Sequence, residues 1–558
     1  GIVFANLPYI EIGRGLGYAW SATSGDSDLT DVRVSKMCNV DGSPASLKDE
    51  NGDGFPDASG YLFDAGDGQG PVCRLFYERT DTWTATPTLA SIGSGGSKGP
   101  ETVTRNIMRT HYGPVSATAT VNGAPVAISI QRSTFNAELD TAVPFALAST
   151  HVVHDAPSFQ RLFNACTGTF NWLYVDGKDV GYLHAGLYPL RHAAHDPDLP
   201  VWGDGRFEWA SDQAFPKGYF SAGGSTPYPV RVTPVVAAQS DPLDGDIEWQ
   251  NFMPLAQHPQ AVNPPKGWIT SWNNSPATGW WAADGLGSYG PTHRVDMLAK
   301  RLAAFQATGK KFDFGNMVEI MADAGFTDLR GQEVLPLLLQ VLKTGSMDDT
   351  QTQVAALMQS WIDAGSGSWI DGQPGLGAWR RDRDHDGKYD QRQAVLLMDA
   401  WYPHLIDTLL PQVTAIDGGG NDPTSCSGLA LQCRYDAPRE QGSAFEYGYF
   451  QMMKRVLQMV LGTPGHTDYR VLKCAGTGTP ADCRAAVVAA LTQGLADLGG
   501  WAARDGWDGT TLVNVQTLMT GETVETYDAI VHQGFSLLPV APMPWINRPT
   551  FQQVVEIH

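Results

Sequence analysis

Glu248 to Asp284 read EWQNFMPLAQHPQAVNPPKGWITSWNNSPATGWWAAD. Inside the tryptophan-rich half, between Trp268 and Trp281, two amides stand side by side at Asn273 and Asn274, just ahead of a Ser275-Pro276 turn. A side-chain amide is an uncharged N–H donor that can be aimed at an oxygen becoming anionic, and losing one such donor costs about 2.7 to 4 kcal/mol of transition-state stabilisation. An Asn in front of Ser-Pro can equally bond its own backbone and shape a turn. From chemistry alone both readings of Asn273 stay open.

Outward from this loop the texture of the chain changes. On its N-terminal side, runs such as SATATVNGAPVAISIQRS and WLYVDGKDVGYLHAG alternate apolar and polar residues between Gly, Asp and Asn turns, the period of half-buried strands. On its C-terminal side the period becomes helical in HRVDMLAKRLAAF, GQEVLPLLLQVLK, QRQAVLLMDAWYPHLIDTLL, AFEYGYFQMMKRVLQMVL and RAAVVAALTQGLADL. An α+β body follows, with a β-rich part over residues 1–292 and a mainly helical part over 293–558. The chain shows no fixed-period repeat, and SIGSGGSKG is expected to be a surface loop.

The 558 residues suffice for a large core, and 38 Lys plus Arg against 59 Asp plus Glu leave a formal charge of -21. A nucleic-acid backbone or an anionic lipid surface is repelled by such a chain. No apolar run is long enough to cross a bilayer, and Gly1 opens no signal peptide. Of seven cysteines, Cys426 and Cys433, then Cys474 and Cys483, form close couples in loop-like sequence, and none has CxxC spacing. Disulfides, with Cys38 and Cys73 as further candidates, are favoured over zinc, and with them an exported, secreted or periplasmic, protein. Cys166, in RLFNACTGT, is expected to be a buried inert thiol.

Two stretches have the spacing of calcium loops. DRDHDGKYD places Asp382, Asp384, Asp386 and Asp390 at alternate positions, with the Lys388 carbonyl between them and Gly387 at the sharp turn. DENGDGFPD repeats the pattern with Asp49, Asn51, Asp53, the Phe55 carbonyl and Asp57. The twelfth positions carry Gln393 and Gly60 instead of an acid, so affinity is lowered or another loop completes the shell. An acidic solvated turn is the alternative, and in either case the role is structural.

Three longer motifs carry a resemblance. IGRGLGYAWSATSGDSDLTD, from Ile12 to Asp31, EWQNFMPLAQHPQAVNPPKGWITSWNNSP, from Glu248 to Pro276, and PMPWINRPTFQQVVE near the C-terminus resemble, in order, the hallmarks of the penicillin acylase family. The resemblance implies an N-terminal-nucleophile (Ntn) hydrolase with an αββα sandwich core. It implies an autoproteolysed precursor in which a new N-terminal Ser attacks an amide carbonyl, its own α-amine acting as base, through an acyl-enzyme. Carried over by motif, the Ser24 N–H and the Asn273 side chain hold the oxyanion, while Asn274 braces the loop. Asp28, the Thr30 carbonyl, Asp31, Asp284 and the Pro242 carbonyl match a calcium site that a glutamate of the small (α) subunit completes. Arg294 is the nearest match to a family arginine that stabilises charge near the acyl chain, with helix capping or a surface ion pair as its alternative.

No serine stands at the head of this sequence, so the nucleophile is expected on a further peptide of the same precursor, alongside the small subunit. The Trp268 to Trp281 loop, Phe135 and Phe145 suit an apolar acyl pocket, and aliphatic or arylacetyl amides of β-lactam, acyl-homoserine lactone or lipopeptide type are the expected substrates. The alternatives are a family member without its nucleophile, kept as a scaffold, and a secreted carbohydrate-active β-protein. No organic cofactor is implied.

Overall fold

A computed structural model of the protein describes residues 8–52, 54–86, 100–135, 137–211, 249, 251–283, 289–290, 292–364, 368–370, 373–374, 377–412, 442–443, 449–463, 468–507, 543, 545–547 and 553–557. Asp53, Pro242, Asp284, Cys426 and Cys433 therefore lie outside the described residues. The chain divides into two compact units, Gly1–Gly290 with Ile557–His558, and Pro291–Glu556.

The first unit is built on two sheets. Strands β1 (Gly13–Arg14), β2 (Tyr18–Ser24), β3 (Thr30–Cys38), β4 (Gly60–Phe63), β5 (Val72–Leu75), β6 (Tyr77–Ala85), β7 (Glu101–Arg109), β8 (Val115–Val121), β9 (Ala124–Arg132), β10 (Phe170–Asp176), β11 (Val180–Ala185), β12 (Val201–Trp202) and β13 (Gln260–Val262) follow in chain order. One sheet runs β1-β2-β10-β11-β13 and the other β5-β4-β3-β9-β8, with β12 pairing β3; β6 and β7 form a separate ribbon. The two runs singled out for alternation, 116–133 and 172–186, become the hairpins β8–β9 and β10–β11.

Two helices interrupt this part, α1 (Ala142–Leu147) and α2 (Ala156–Phe163). The start of α2 carries a capping box, in which Asp155 accepts from the Ser158 N–H while the Ser158 side chain answers the N-cap backbone, with Pro157 in the first turn. Its Phe159, Leu162 and Phe163 pack with Phe145, Trp20, Trp172, Tyr174 and Leu183 into one buried cluster. Phe145 is thus a core residue, its ring centroid 5.5 Å from that of Trp172. Cys166 is free and buried in the same cluster, where desolvation pushes its thiol up to about 12, as an inert role requires.

Strand β3 departs from simple amphipathic patterning. Asp31, Arg33, Ser35 and Met37 point to the buried side while Val32 and Val34 are half-covered, so a largely polar face is the enclosed one. Such a face must be satisfied internally: Arg33 donates through Nε to Gln131 Oε1 at 2.7 Å and through Nη1 to the Phe207 carbonyl at 2.6 Å. A disulfide joins Cys38 at the end of β3 to Cys73 in β5, and a second joins Cys474 to Cys483.

The second unit is helical: α3 (Thr292–Gln306), α4 (Phe314–Phe326), α5 (Leu335–Leu342), α6 (Asp349–Asp363), α7 (Arg392–Leu409), α8 (Phe450–Val460) and α9 (Pro480–Asp497), with a small ribbon of Ser368–Ile370 and Gln373–Pro374. The stretch expected as one helix from Gly331 to Lys343 opens with a π turn, Arg330–Val334, before α5. Pro336 sits in the first turn of α5, directly after the π turn. Among the described residues, no helix is long and apolar enough to cross a membrane.

Candidate functional site

The amide-bearing loop is laid against the end of β2. Thr23 Oγ1 and Ser271 Oγ are 2.9 Å apart, the Asn273 Nδ2 group donates to the Ser24 carbonyl at 3.0 Å, and Ser27 and Ala282 form a bridge, with Asp28 N donating to the Trp281 carbonyl at 3.1 Å. Three successive ties therefore run in step along residues 23–28 and 271–282. Asn273 has φ 61°, a left-handed backbone that asparagine tolerates far better than most residues. Asn274 turns inward on its own loop, its Oδ1 accepting from Trp272 N at 3.1 Å and its Nδ2 donating to the Ser275 carbonyl at 3.1 Å.

The register of β2 decides where the Ser24 backbone faces. Ser24 stands opposite Phe170, and Gly25 N donates to the Thr169 carbonyl at 2.9 Å. Antiparallel pairs alternate between hydrogen-bonded and non-bonded. Since Gly25 and Thr169 form the bonded pair, Ser24 N–H and C=O point away from β10. Among the described residues β1 covers β2 only at Ala19 and Trp20, so no strand pairs this edge at Ser24, where the Asn273 loop lies instead. The Ser24 N–H and the Asn273 side-chain amide thus share one strand edge. The second N–H of Asn273 Nδ2 is a further donor beside the one that holds Ser24.

Behind this edge runs a polar row one residue wide. Thr23, Asn171 and His184 are cross-strand neighbours on β2, β10 and β11. Asn171 Nδ2 donates to Thr23 Oγ1 at 3.2 Å and to the Ser24 carbonyl at 3.1 Å, and its Oδ1 accepts from Tyr182 Oη at 2.7 Å and His184 Nδ1 at 2.8 Å. The full hydrogen-bonding capacity of Asn171 is used. Desolvation, reinforced by the neighbouring His258, holds His184 down to about 3, so the ring is neutral. With Nδ1–H given to Asn171, Nε2 is the acceptor for Ser27 Oγ–H at 2.7 Å. The Tyr289 hydroxyl lies 2.6 Å from Ser27 Oγ and donates to the Trp281 carbonyl at 2.8 Å, and Trp280 sets its edge against His184 and Tyr188. Asn171, His184 and Tyr289 were not among the residues singled out from sequence. The hairpin carried the signal: with its turn at Asp176–Asp179, the alternation already places Asn171 opposite His184.

Asp28, Thr30 and Asp31 come together around a protein cation. Arg191 donates through Nε to Asp31 Oδ1 at 2.8 Å, and through one Nη to Asp28 Oδ2 and to the Thr30 carbonyl, the latter at 3.2 Å. Asp28 Oδ1 accepts from Thr30 N at 2.9 Å, while Asp31 Oδ2 accepts from Arg33 and from Trp209 Nε1. All four carboxylate oxygens and the carbonyl thus face N–H donors, an arrangement that does not fit a calcium ion. The other two residues of that expected set, Asp284 and Pro242, lie outside the described residues.

The two loops fit a cation better. In the first, carboxylate oxygens of Asp382, Asp384 and Asp390 lie within 4.8 Å of one another, and Gly387 takes φ 81° at the turn. Asp386 is turned away from that group and accepts from Lys388 N at 2.8 Å, and Asp390 also meets Arg383 Nε at 2.5 Å. In the second, Asp49 accepts from Gly52 N at 2.7 Å and Gly54 N at 2.9 Å, while Asp57 Oδ1 is buried with no hydrogen-bond partner. An orphaned carboxylate oxygen suits a ligand. Asn51 and Phe55 lie on the same loop. Arg294 occupies the first turn of α3 in the helical unit, half-buried.

A family model described as penicillin amidase matches residues 1–545. A penicillin G acylase of Escherichia coli is 25% identical over 201 residues, which are 35% of this chain and 18% of that protein's length. A solved structure, thermostable penicillin G acylase from Alcaligenes faecalis in orthorhombic form, superposes with a TM-score of 0.55 at 18% identity, over 90% of this chain and 73% of that one. The fold is therefore that of an Ntn hydrolase, as the three motifs led one to expect.

Proposed function

The chain belongs to the penicillin amidase family, and from that premise we propose that it forms part of an amidohydrolase that cleaves linear acyl amides through an acyl-enzyme. The observation that carries the reading is the shared strand edge, where Asn273 Nδ2 lies 3.0 Å from the Ser24 carbonyl and the Ser24 N–H faces the same side. Two donors held on one strand edge can serve an oxyanion, being fixed before the charge develops.

In the reaction proposed, a serine at the head of a companion segment of the precursor attacks the amide carbonyl. Its own α-amine, with an ordinary pKa of about 8, takes the hydroxyl proton through a water and later delivers it to the leaving amine. As the carbonyl carbon becomes tetrahedral, its oxygen receives the Ser24 N–H and the second Asn273 N–H. Water then repeats the attack on the ester and releases the acid. Throughout, Asn171, itself braced by neutral His184, holds the Ser24 carbonyl so that the backbone of that residue keeps its aim.

Substrates of β-lactam side-chain, acyl-homoserine lactone or lipopeptide type agree with family membership, and the small subunit and nucleophile peptide are the proposed partners. Arg294 is proposed to stabilise charge near the acyl chain. Calcium is proposed at the 382–390 and 49–57 loops, where the carboxylates would brace the turns. The Cys38–Cys73 and Cys474–Cys483 disulfides support an extracytoplasmic location.

The test is intact mass and N-terminal sequencing of the purified particle, combined with hydrolysis of a panel of acyl nitroanilides. A companion peptide beginning with Ser, together with turnover of at least one acyl chain, is the expected result. A particle without any peptide that begins with Ser, Thr or Cys would sink the proposal.

A further inference from the structure

Asp28, Thr30 and Asp31 have the composition of half a calcium shell, yet a guanidinium lies among them. We infer that Arg191 replaces the calcium ion at this seat, so that the processed protein binds no ion through Asp28 and Asp31. The inference rests on family membership and not on the acylase reading, because the seat is recognised by its residues whatever the substrate.

Calcium takes six to eight oxygen ligands at about 2.3–2.6 Å, each offering a lone pair to the metal. Here those lone pairs are spent on donors. The planar fork of Arg191 spans both carboxylates, with Nε on Asp31 Oδ1 at 2.8 Å and one Nη shared between Asp28 Oδ2 and the Thr30 carbonyl. The remaining carboxylate oxygens go to Thr30 N, Arg33 and Trp209 Nε1. Burial raises the cost of adding charge: side-chain exposure is 1% for Asp28, 0% for Asp31 and Arg33, and 13% for Arg191. Arg191 and Arg33 already occupy oxygens of both carboxylates, and His195 Nδ1 lies 3.3 Å from Asp31 Oδ2, so a divalent ion entering this enclosed seat would meet cations already placed on its ligand atoms. Nor can Arg191 leave without cost, since Asp28 would lose this cation and Asp31 would keep Arg33 as its guanidinium partner but lose Arg191.

The position gives the substitution a purpose. Asp28 N is tied to the Trp281 carbonyl, and Ser27 bridges Ala282, so whatever fixes Asp28 also fixes the zipper that carries Asn273 to Ser24. Arg191 follows β11, the strand bearing His184. Its fork therefore ties the loop's anchor to the sheet behind the polar row by covalently supplied charge. On this account the register of the site is independent of free calcium.

The experiment counts calcium by elemental analysis in the purified wild-type particle and in Asp28→Asn, both exchanged into calcium-free buffer. Calcium in the 382–390 and 49–57 loops contributes equally to both and cancels. Equal counts are expected, whereas one ion fewer per particle in Asp28→Asn overturns the inference. Arg191→Ala supplies the second measurement. It should melt several degrees below wild type, and millimolar calcium should raise its melting temperature by more than it raises that of wild type, because the vacated carboxylates then face a cation-sized space. Melting identical to wild type, with the same calcium response, refutes Arg191 as the resident cation. Neither readout depends on catalytic activity, so failure here and failure of the acylase reading are distinguishable.

Discussion

Replacing Asn273 separates two effects that coincide in the native residue. One is the backbone: φ 61° is held by Asn at low cost, but an L-residue without its tolerance pays about 1–2 kcal/mol. The other is the amide, one N–H of which holds the Ser24 carbonyl at 3.0 Å, a bond worth roughly 1 kcal/mol net, while the second is free to meet the oxyanion at about 2.7–4 kcal/mol. Asn273→Ala removes the donor and adds strain; Asn273→Gly removes the donor and leaves the backbone relaxed. Both variants should therefore lose about 10²–10³ in kcat on whichever acyl nitroanilide the particle cleaves. Both should melt lower through loss of the Ser24 bond, and Asn273→Ala lower than Asn273→Gly because it alone adds the backbone strain. KM should move little, because the oxyanion contact strengthens as the tetrahedral intermediate forms and contributes little to ground-state binding. Steady-state kinetics of both variants, with thermal melting alongside, decides the matter. Wild-type kcat in Asn273→Gly, whatever happens in Asn273→Ala, would mean that the side chain serves only the turn.

Asn171 is fully buried, and its replacement by Ala leaves His184 Nδ1, the Tyr182 hydroxyl and the Ser24 carbonyl each short of a partner. A destabilisation of about 2–5 kcal/mol is expected in urea unfolding, and a loss under about 1 kcal/mol would show that water takes over the row. Glu333 in the helical unit is pushed up by burial, but Lys300 and Lys454 outweigh this and bring it down from 4.5 to about 2. A depressed carboxylate stabilises the fold above its unfolded pKa and loses that contribution as pH falls from 4.5 towards about 2. Glu333→Gln should accordingly flatten the acid limb of the melting temperature against pH over that window, and an unchanged limb would remove the pair of lysines as the cause. Prolonged chelation should lower the melting temperature of wild type, and Asp382→Asn combined with Asp384→Asn should abolish part of that response. A response of undiminished size in the double variant would take the ion away from that loop.

Much of this architecture was readable because period and burial agree. The hairpins over 116–133 and 172–186 alternate cleanly, and the helices from Thr292 onward keep three-to-four spacing, so local pattern and tertiary role coincide. The helices α1 and α2 escaped because they are short and lie amid strands, although Asp155 and Ser158 carried a cap signal in plain sight. The buried face of β3 offered little apolar signal to read. Asp31, Arg33 and Ser35 are enclosed there, and Arg33 and Ser35 are satisfied by residues far away in sequence. Periodicity carries no information about such partners.

The same limit explains why the amides of the 271–284 loop could be named from sequence and their support could not. Asn273 belongs to a motif with fixed local spacing, which marks the residue even though its Ser24 partner lies 249 positions away. Asn171, His184 and Arg191 acquire their meaning only through register: Asn171 stands opposite both Thr23 and His184, and Arg191 reaches across to residues about 160 positions away in sequence. A shift of one residue in the β2–β10 pairing would turn every side chain of that row to the other face and would also convert Ser24 from a non-bonded to a bonded position, burying the N–H that the oxyanion needs. The donor geometry is thus a property of the sheet register before it is a property of any one residue. A row of polar side chains tied at one end by neutral His184 to Ser27 and at the other by Thr23 to Ser271, with Arg191 holding Asp28 next to Ser27, is a physically sufficient means of fixing that register.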